Sequence, residues 1–265
     1  MTRLTAAILA ASWLTTVSLH AANLPDTGQD TCYNGNVADA VDASNAGSAA
    51  ADAGSSPRQD CRFGRDAAAA TAKLPKTGAG AKGFDYTKIA NNGNVVAAGT
   101  ALGDAAGDWG CTRDNITGLT WEVKSGQFST LRYSGHTYTW YDTTAATNGG
   151  AAGSAGINSC NSTLPGNACN TQTFTNAVNA IALCTYTDWR LPTLREMLTL
   201  VFADGSVPAI DASYFPNQTA SPFWTGTPYA SDPTNAWFVS FADGFDNSGD
   251  KSLVNAVRLV RGGSF

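Results

Sequence analysis

The sequence predicts an α+β fold, with two helices set among short and mostly antiparallel strands, behind a low-complexity N-terminal segment. Three observations carry that prediction. Residues 23–82 are rich in Ala, Gly, Ser and Asp and show no sustained apolar period. From Phe84 onward, aromatic and β-branched runs alternate with Gly, Asn and Asp, the composition of strands and their turns. Two stretches, Thr173–Cys184 and Thr193–Val201, repeat their apolar residues with a helical period. The chain has 265 residues, 43% of them hydrophobic and only 14% charged, which is enough to bury a sizeable core.

The first 22 residues read as a secretory signal peptide, with one cation at Arg3, the apolar run Leu4–Leu14, and small residues ending at Ala21 and Ala22. That run is too short to span a bilayer comfortably. The mature chain is therefore expected to begin at Asn23, with Ala22 the alternative start, to carry no membrane span, and to work in the periplasm, at the cell surface or in the medium. Residues 23–82 are expected to be loop or disordered. Within them LPDTG (Leu24–Gly28) is echoed by LPKTG (Leu74–Gly78). Both strings match the pattern that sortases cleave, but a sorting signal stands near a C-terminus before an apolar tail. Two β-turns are the reading adopted here.

The domain proper is placed at residues 83–265. Asp114–Lys124, DNITGLTWEVK, sets apolar residues around a Thr-Gly turn and predicts a hairpin whose second strand alternates inward and outward. His136–Asp142, HTYTWYD, alternates Tyr138 and Trp140 against threonines and predicts another strand, followed by a flexible loop at Thr143–Cys160. In the first helix, Phe174, Ala177, Val178, Ile181 and Ala182 share a face. In the second, Thr193 caps the helix, Glu196 reaches back to the cap, and Leu194, Met197, Leu198 and Val201 form the apolar stripe. Trp189 and Arg190 just before it make this a structural corner, the guanidinium serving a carboxylate or loop carbonyls. Short strands are expected at Pro208–Pro216, Ser221–Gly226, Asn235–Phe241 and Asn255–Gly263. Trp237, Val239 and Phe241 alternate on one side, which predicts that Trp237 is core, and Arg258 and Arg261 are expected at the margins of a buried strand.

The corner string TDWRLPTLREMLTLV (Thr187–Val201) does not stand alone. With it come LPDTGQDTC (Leu24–Cys32), RDNITGLTWE (Arg113–Glu122), YTWYD (Tyr138–Asp142), PAIDASYFPN (Pro208–Asn217), FWTGTPYA (Phe223–Ala230), AWFVSFADG (Ala236–Gly244) and VRLVRGG (Val257–Gly263). In that order the strings resemble the Lcl C-terminal-domain family, named for the C-terminal domain of a bacterial collagen-like adhesin. The resemblance implies a C-type-lectin-like fold on an exported bacterial protein, with adhesion or polysaccharide binding as its function. It supplies no catalytic residues.

Loss of the signal peptide removes Arg3 and no acid, so the formal charge moves from −5 to −6. An acidic surface without a Lys/Arg cluster disfavours nucleic acid and anionic membranes as partners. Six cysteines in an exported chain read as disulfides. Cys160 and Cys169 flank a loop with a Pro165-Gly166 turn, Cys32 and Cys61 flank the first low-complexity stretch, and Cys111 is left for Cys184. Zinc is disfavoured because the cysteines lack clustered spacings.

Chemistry-bearing residues are few. Of two histidines, His20 leaves with the signal peptide, and His136, between glycine-flanked turns, is expected to be solvated. No GxSxG-like string accompanies it. The mature chain has two glutamates: Glu196 is taken up by capping, and Glu122 is expected to pair with an arginine. Phe241–Ser252, FADGFDNSGDKS, gathers acids and amides in one turn. Tyr229, Asp243, Phe245, Asp246, Asn247 and Asp250 are the candidate ligand-binding residues, and Asp243, Asp246 and Asp250 the candidate ligands for calcium, the one ion proposed. The reading is an exported, non-enzymatic binding module whose partner is a glycan or cell-surface polymer. The alternatives are an enzyme acting on surface polysaccharide and a variable ligand-binding protein diversified by a retroelement.

Overall fold

The computed structural model describes residues 26–28, 32–34, 37–39 and 64–263. Its centre is the hairpin of β4 (Trp109–Asp114) and β5 (Leu119–Glu122). Asp114 closes the turn, accepting from Ile116 N at 2.8 Å and from Thr117 Oγ1 at 2.7 Å, and Gly118 takes the φ of 73° that the reversal needs. With β3 (Tyr86–Ala90) and the late strand β11 (Val260–Gly262) the hairpin forms an antiparallel sheet in the order β11-β5-β4-β3. A second antiparallel sheet is the meander β7 (Pro222–Pro228), β8 (Asn235–Ser240) and β9 (Asp246–Asp250). Two small ribbons pair β1 (Cys32–Asn34) with β2 (Val37–Asp39), and β6 (Tyr138–Thr139) with β10 (Val254–Asn255). The fold is α+β.

Strand β5 does not alternate between core and solvent as expected; it is buried on both faces. One cluster around it holds Leu119, Trp121, Met197, Leu200, Phe223 and Val239. The other holds Cys111, Tyr138, Trp140, Phe174, Trp224 and Leu259. Buried indoles are anchored by their N–H groups: Trp140 Nε1 donates to Thr225 O at 2.8 Å and Trp224 Nε1 to Tyr138 O at 2.9 Å. Arg258, expected at a margin, is fully buried over the Phe215 ring, 4.9 Å from its centroid, and donates to Gln218 Oε1 at 2.6 Å.

Three helices are described, one more than expected. Helix α1 (Arg65–Ala70) lies in the segment read as loop or disorder. It is held to the domain by Asp66, whose Oδ1 accepts from Gly83 N at 2.9 Å, and by Arg65 Nε, which donates to Gly83 O at 2.8 Å. Thr77 and Gly78 of the LPKTG copy form a bend and donate their N–H groups to Asp85 at 2.7 Å each. Helix α2 (Thr171–Ala180) starts at the Asn170 cap and stops before Ile181, because Ala182 turns left-handed at φ 48°. Ile181 is therefore 57% exposed and not on the buried face. Helix α3 (Leu194–Leu198) has five residues. The chain leaves it at Thr199, so Leu200 is buried in place of Leu198. Pro208–Pro216 is a turn, not a strand: Asp211 accepts from Ser213 N at 2.9 Å through its carboxylate and from Phe215 N at 2.9 Å through its carbonyl.

Cys111–Cys184 and Cys160–Cys169 are disulfides, with Cα–Cα distances of 6.5 Å and 5.8 Å. Cys61, and with it the expected bridge to Cys32, lies outside the described residues. Among the described residues no helix is long and apolar enough to cross a membrane.

Candidate functional site

The corner at residues 189–196 is built as its local sequence dictates. Thr193 Oγ1 accepts from Glu196 N at 3.2 Å, while Glu196 Oε2 accepts from Thr193 N at 2.8 Å, completing the capping box. The same carboxylate takes a two-pronged contact from Arg190, at 2.7 Å and 2.6 Å. Burial pushes the Glu196 carboxyl up, but these hydrogen bonds outweigh it and hold the group below its ordinary value. Trp189 is buried, with Nε1 on Leu183 O at 3.1 Å and its backbone bracketed by the Asn179 amide. Apart from exposed Arg195, the strong polar groups here have partners inside the fold, so the corner is a support.

The β7-β8-β9 sheet is different. Trp237 is half-buried, not core, and meets Tyr229 edge to face at 5.4 Å between ring centroids. Directly opposite residues on paired strands share a face. The register sets Asn235 against Asp250, Trp237 against Ser248 and Val239 against Asp246, so Tyr229, Trp237, Asp246, Ser248 and Asp250 line one face. Helix α3 and its cluster cover Val239 but do not reach Trp237. The result is a half-buried indole and phenol flanked by two exposed carboxylates and a half-buried hydroxyl.

The structure redistributes the expected acidic turn. Asp246–Asp250 is strand β9, and the residues before and after it turn. Asp243 sits in that turn with its carboxylate on Phe245 N at 3.3 Å. Asp246 and Asp250 are four residues apart along a strand, about 13 Å. Asp243, Asp246 and Asp250 are thus not gathered as a calcium shell, and among the described residues no three His, Cys, Asp or Glu side chains converge as metal ligands. Phe245 is 73% exposed, and Asn247 pairs with Phe238 on the face opposite Trp237.

A cleft of about 280 Å³ adjoins this sheet. Its floor is Trp140, Leu191 and Gly226; its walls are Asp142 and Thr147 on one side and Gln172 and Asn176 of α2 on the other. Arg190 closes one end and also lines a larger depression of about 640 Å³ with Arg195 and Thr227. Asp142 spends its carboxylate on Thr144 N at 2.8 Å and on Thr147 Oγ1, and Arg190 is neutralised by Glu196. The cleft therefore presents mostly uncharged hydrogen-bonding groups over an apolar floor.

Residues 110–261 match the family described as the Lcl C-terminal domain, more than half of the chain. The chain belongs to that family. Among curated proteins and solved structures no match was found. The matched stretch of the Lcl C-terminal domain holds both described disulfides, the corner, the Trp237 face and the cleft, while β3 completes its sheet from upstream.

Inside the Lcl C-terminal domain the titratable residues also depart from expectation. His136 is 2% exposed, stacked edge-on between Tyr133 and Tyr138, and burial holds its imidazole below its ordinary value. Glu122 pairs with Lys124, not with an arginine: Nζ lies 2.9 Å from Oε1, and Oε2 accepts from Leu259 N at 3.1 Å. Burial pulls the Lys124 ammonium down to about 8 against the opposing pull of Glu122. Trp237 and the cleft residues Asp142, Thr147, Gln172 and Asn176 were not legible as site residues, since nothing in the alternation of β8 separates an uncovered indole from a core one.

Proposed function

We propose that this Lcl C-terminal domain is an exported bacterial module that binds glycan, in adhesion or in recognition of an extracellular polymer, on a C-type-lectin-like scaffold. The observation that carries the reading is the face made by Tyr229, Trp237, Asp246, Ser248 and Asp250. An aromatic ring left open to solvent takes the apolar face of a pyranose, and carboxylates and hydroxyls beside it accept and donate to the sugar hydroxyls. The neighbouring cleft, polar at its rim and apolar at its floor, suits the same chemistry. Two disulfides support a working place outside the cytoplasm.

The test is a glycan-array screen of the exported chain with and without calcium, followed by titration of Trp237→Ala. Loss of at least about tenfold in affinity, or about 1.4 kcal/mol, is expected for the variant. Wild-type affinity in Trp237→Ala would remove this face as the site. A calcium requirement would show that the dispersed acids take an ion in a geometry other than the free one.

A further inference from the structure

The stretch Thr143–Cys160 has the composition of a flexible loop, yet it is tied down: Thr139 Oγ1 donates to Ser154 O at 2.8 Å and Asn170 Nδ2 to Ala155 O at 2.6 Å in its second half, and one buried ammonium holds the first. Lys251, which directly follows β9, is 1% exposed. Its Nζ donates to Asn148 O at 2.8 Å, Ala151 O at 2.7 Å and Pro233 O at 2.7 Å. An ammonium has three N–H donors, and all three are used. The fourth side is the Trp140 ring, whose centroid lies 4.1 Å from Nζ. No carboxylate is paired with it; Asp142 and Asp232 act only at longer range. The cage is tightly built. Trp140 N donates to Lys251 O at 3.0 Å. Gly153, at φ 86°, leaves no room for a Cβ, which would fall 2.3 Å from Trp140 O and 3.2 Å from Lys251 Cβ.

The three carbonyls belong to two different loops. Asn148 and Ala151 stand in the loop whose Asp142 and Thr147 wall the cleft. Pro233 stands in the hairpin turn that begins at Tyr229, where Tyr229 N donates to Asn235 O at 3.0 Å. One ammonium thus ties the cleft wall to the turn bearing the phenol of the exposed face.

We propose that Lys251 is a positioning residue for the ligand surface: its ammonium fills a cage fit for one primary ammonium, and by filling it holds the 142–153 loop and the Tyr229 turn in one arrangement. Only the purpose of this device rests on the glycan reading; the cage itself stands on contacts that need no ligand.

The experiment is hydrogen–deuterium exchange on the full exported chain, comparing wild type with Lys251→Ala in sodium chloride, methylammonium chloride and tetramethylammonium chloride at equal ionic strength. Exchange in residues 142–153 and 229–235 should quicken by about tenfold or more in sodium chloride, with β3, β4 and β5 unchanged. Methylammonium should restore most of the protection, and tetramethylammonium, too large for the cage and without donors, should restore none. Unchanged exchange in the two loops would overturn the proposal. So would faster exchange spread over the whole domain, which would make Lys251 a core residue, and so would equal protection in all three salts. If Lys251→Ala does not fold, Lys251→Met keeps an apolar stem over Trp140 and removes only the charge; loops as protected as in wild type would then overturn it. Glycan affinity is read separately: a chain that binds no glycan but shows the rescue refutes the function and leaves the cage standing.

Discussion

The corner at 189–196 and the face around Trp237 have similar raw materials, an indole beside charged side chains, and opposite fates. In the corner, Trp189 is buried, and the carboxylate of Glu196 has its lone pairs taken by Arg190 and the Thr193 N–H. On the face, Trp237 is half-buried, Asp246 stands exposed on an edge strand, and exposed Asp250 gives only part of its carboxylate to Ser252 N, at 2.7 Å. A group whose bonds are completed inside the fold supplies stability and nothing to a ligand. A group left incomplete at the surface contributes little stability and can recognise. Perturbing the two regions should therefore separate stability from binding.

The largest expected loss comes from the covalent tie behind the corner. Cys184 precedes Trp189 by a few residues and bridges to Cys111 on β4, closing 73 residues, whereas Cys160–Cys169 closes only 9. In the loop-entropy account, replacing the first pair by serine costs about 4 kcal/mol and the second about 2.5 kcal/mol. Urea denaturation of the two double variants checks the ranking; equal losses would mean that local contacts, not loop length, set the cost.

Arg190→Ala comes next. It strands the buried carboxylate of Glu196, and breaking such a pair costs roughly 3–5 kcal/mol when both partners are buried. Arg190 has a side chain 43% exposed, so the lower end, about 3 kcal/mol, is expected by chemical denaturation. Glycan affinity at a temperature where the variant is folded should stay within about threefold on the Trp237 face. A variant that loses binding first would show that the ligand reaches from the Trp237 face into the cleft that Arg190 closes.

How much of this was legible follows the range of the contacts. The capping box spans three residues and Arg190 stands six from Glu196, so the corner could be read from one short string. The β4–β5 turn was equally local. Trp237 was misread because β8 alternates correctly, and only the five-residue length of α3 decides which of its apolar residues is covered. Lys251 left no mark because two of its carbonyl partners lie 103 and 100 residues away. His136 failed for the same reason in miniature: Gly135 before it suggests a solvated turn, but Tyr133 and Tyr138 close over the ring.

Interior and surface charges should also part company with pH. The Lys124 ammonium sits at about 8 in the folded chain, below its ordinary 10.5. Between those values the unfolded chain binds a proton that the folded chain lacks, so stability rises with pH across that window. Tyr86 and Tyr138 are pushed well above their ordinary value by burial, so their stabilisation is present below about pH 10 and lost above it. Stability should therefore gain about 1–2 kcal/mol from pH 7.5 to 9.5 and then fall. Urea midpoints across that range measure it, and Lys124→Met should flatten the rise; a decline beginning at pH 8 would show that the Glu122 pairing outweighs burial.

On the face itself, Trp237→Ala should cost no more than about 1 kcal/mol, against roughly 3–5 kcal/mol for the fully buried Trp224 on the neighbouring strand. A calorimetric comparison of the two alanine variants checks this directly. If the two losses are alike, Trp237 is as enclosed in solution as Trp224 and cannot stack on a sugar.

The smallest stability effect belongs to the acids, and it is the sharpest test of the comparison. Asp246 and Asp250 flank Trp237 on one face, one opposite Val239 and the other opposite Asn235, and both are exposed. Asp250 Oδ1 also accepts from Ser252 N at 2.7 Å, whereas Asp243 lies off that face, in the turn, where its carboxylate accepts from Phe245 N at 3.3 Å. Asp246→Ala with Asp250→Ala should shift the melting temperature hardly at all, since exposed substitutions rarely cost more than about 0.5 kcal/mol. On the proposed reading the same pair should weaken a glycan ligand by about tenfold, since it leaves only the Ser248 hydroxyl beside the rings to meet the sugar hydroxyls. Asp243→Ala alone should leave affinity unchanged and lose a few tenths of a kcal/mol through its turn. The reverse pattern, with affinity lost only in Asp243→Ala, would move recognition off the indole face and onto the turn at its edge.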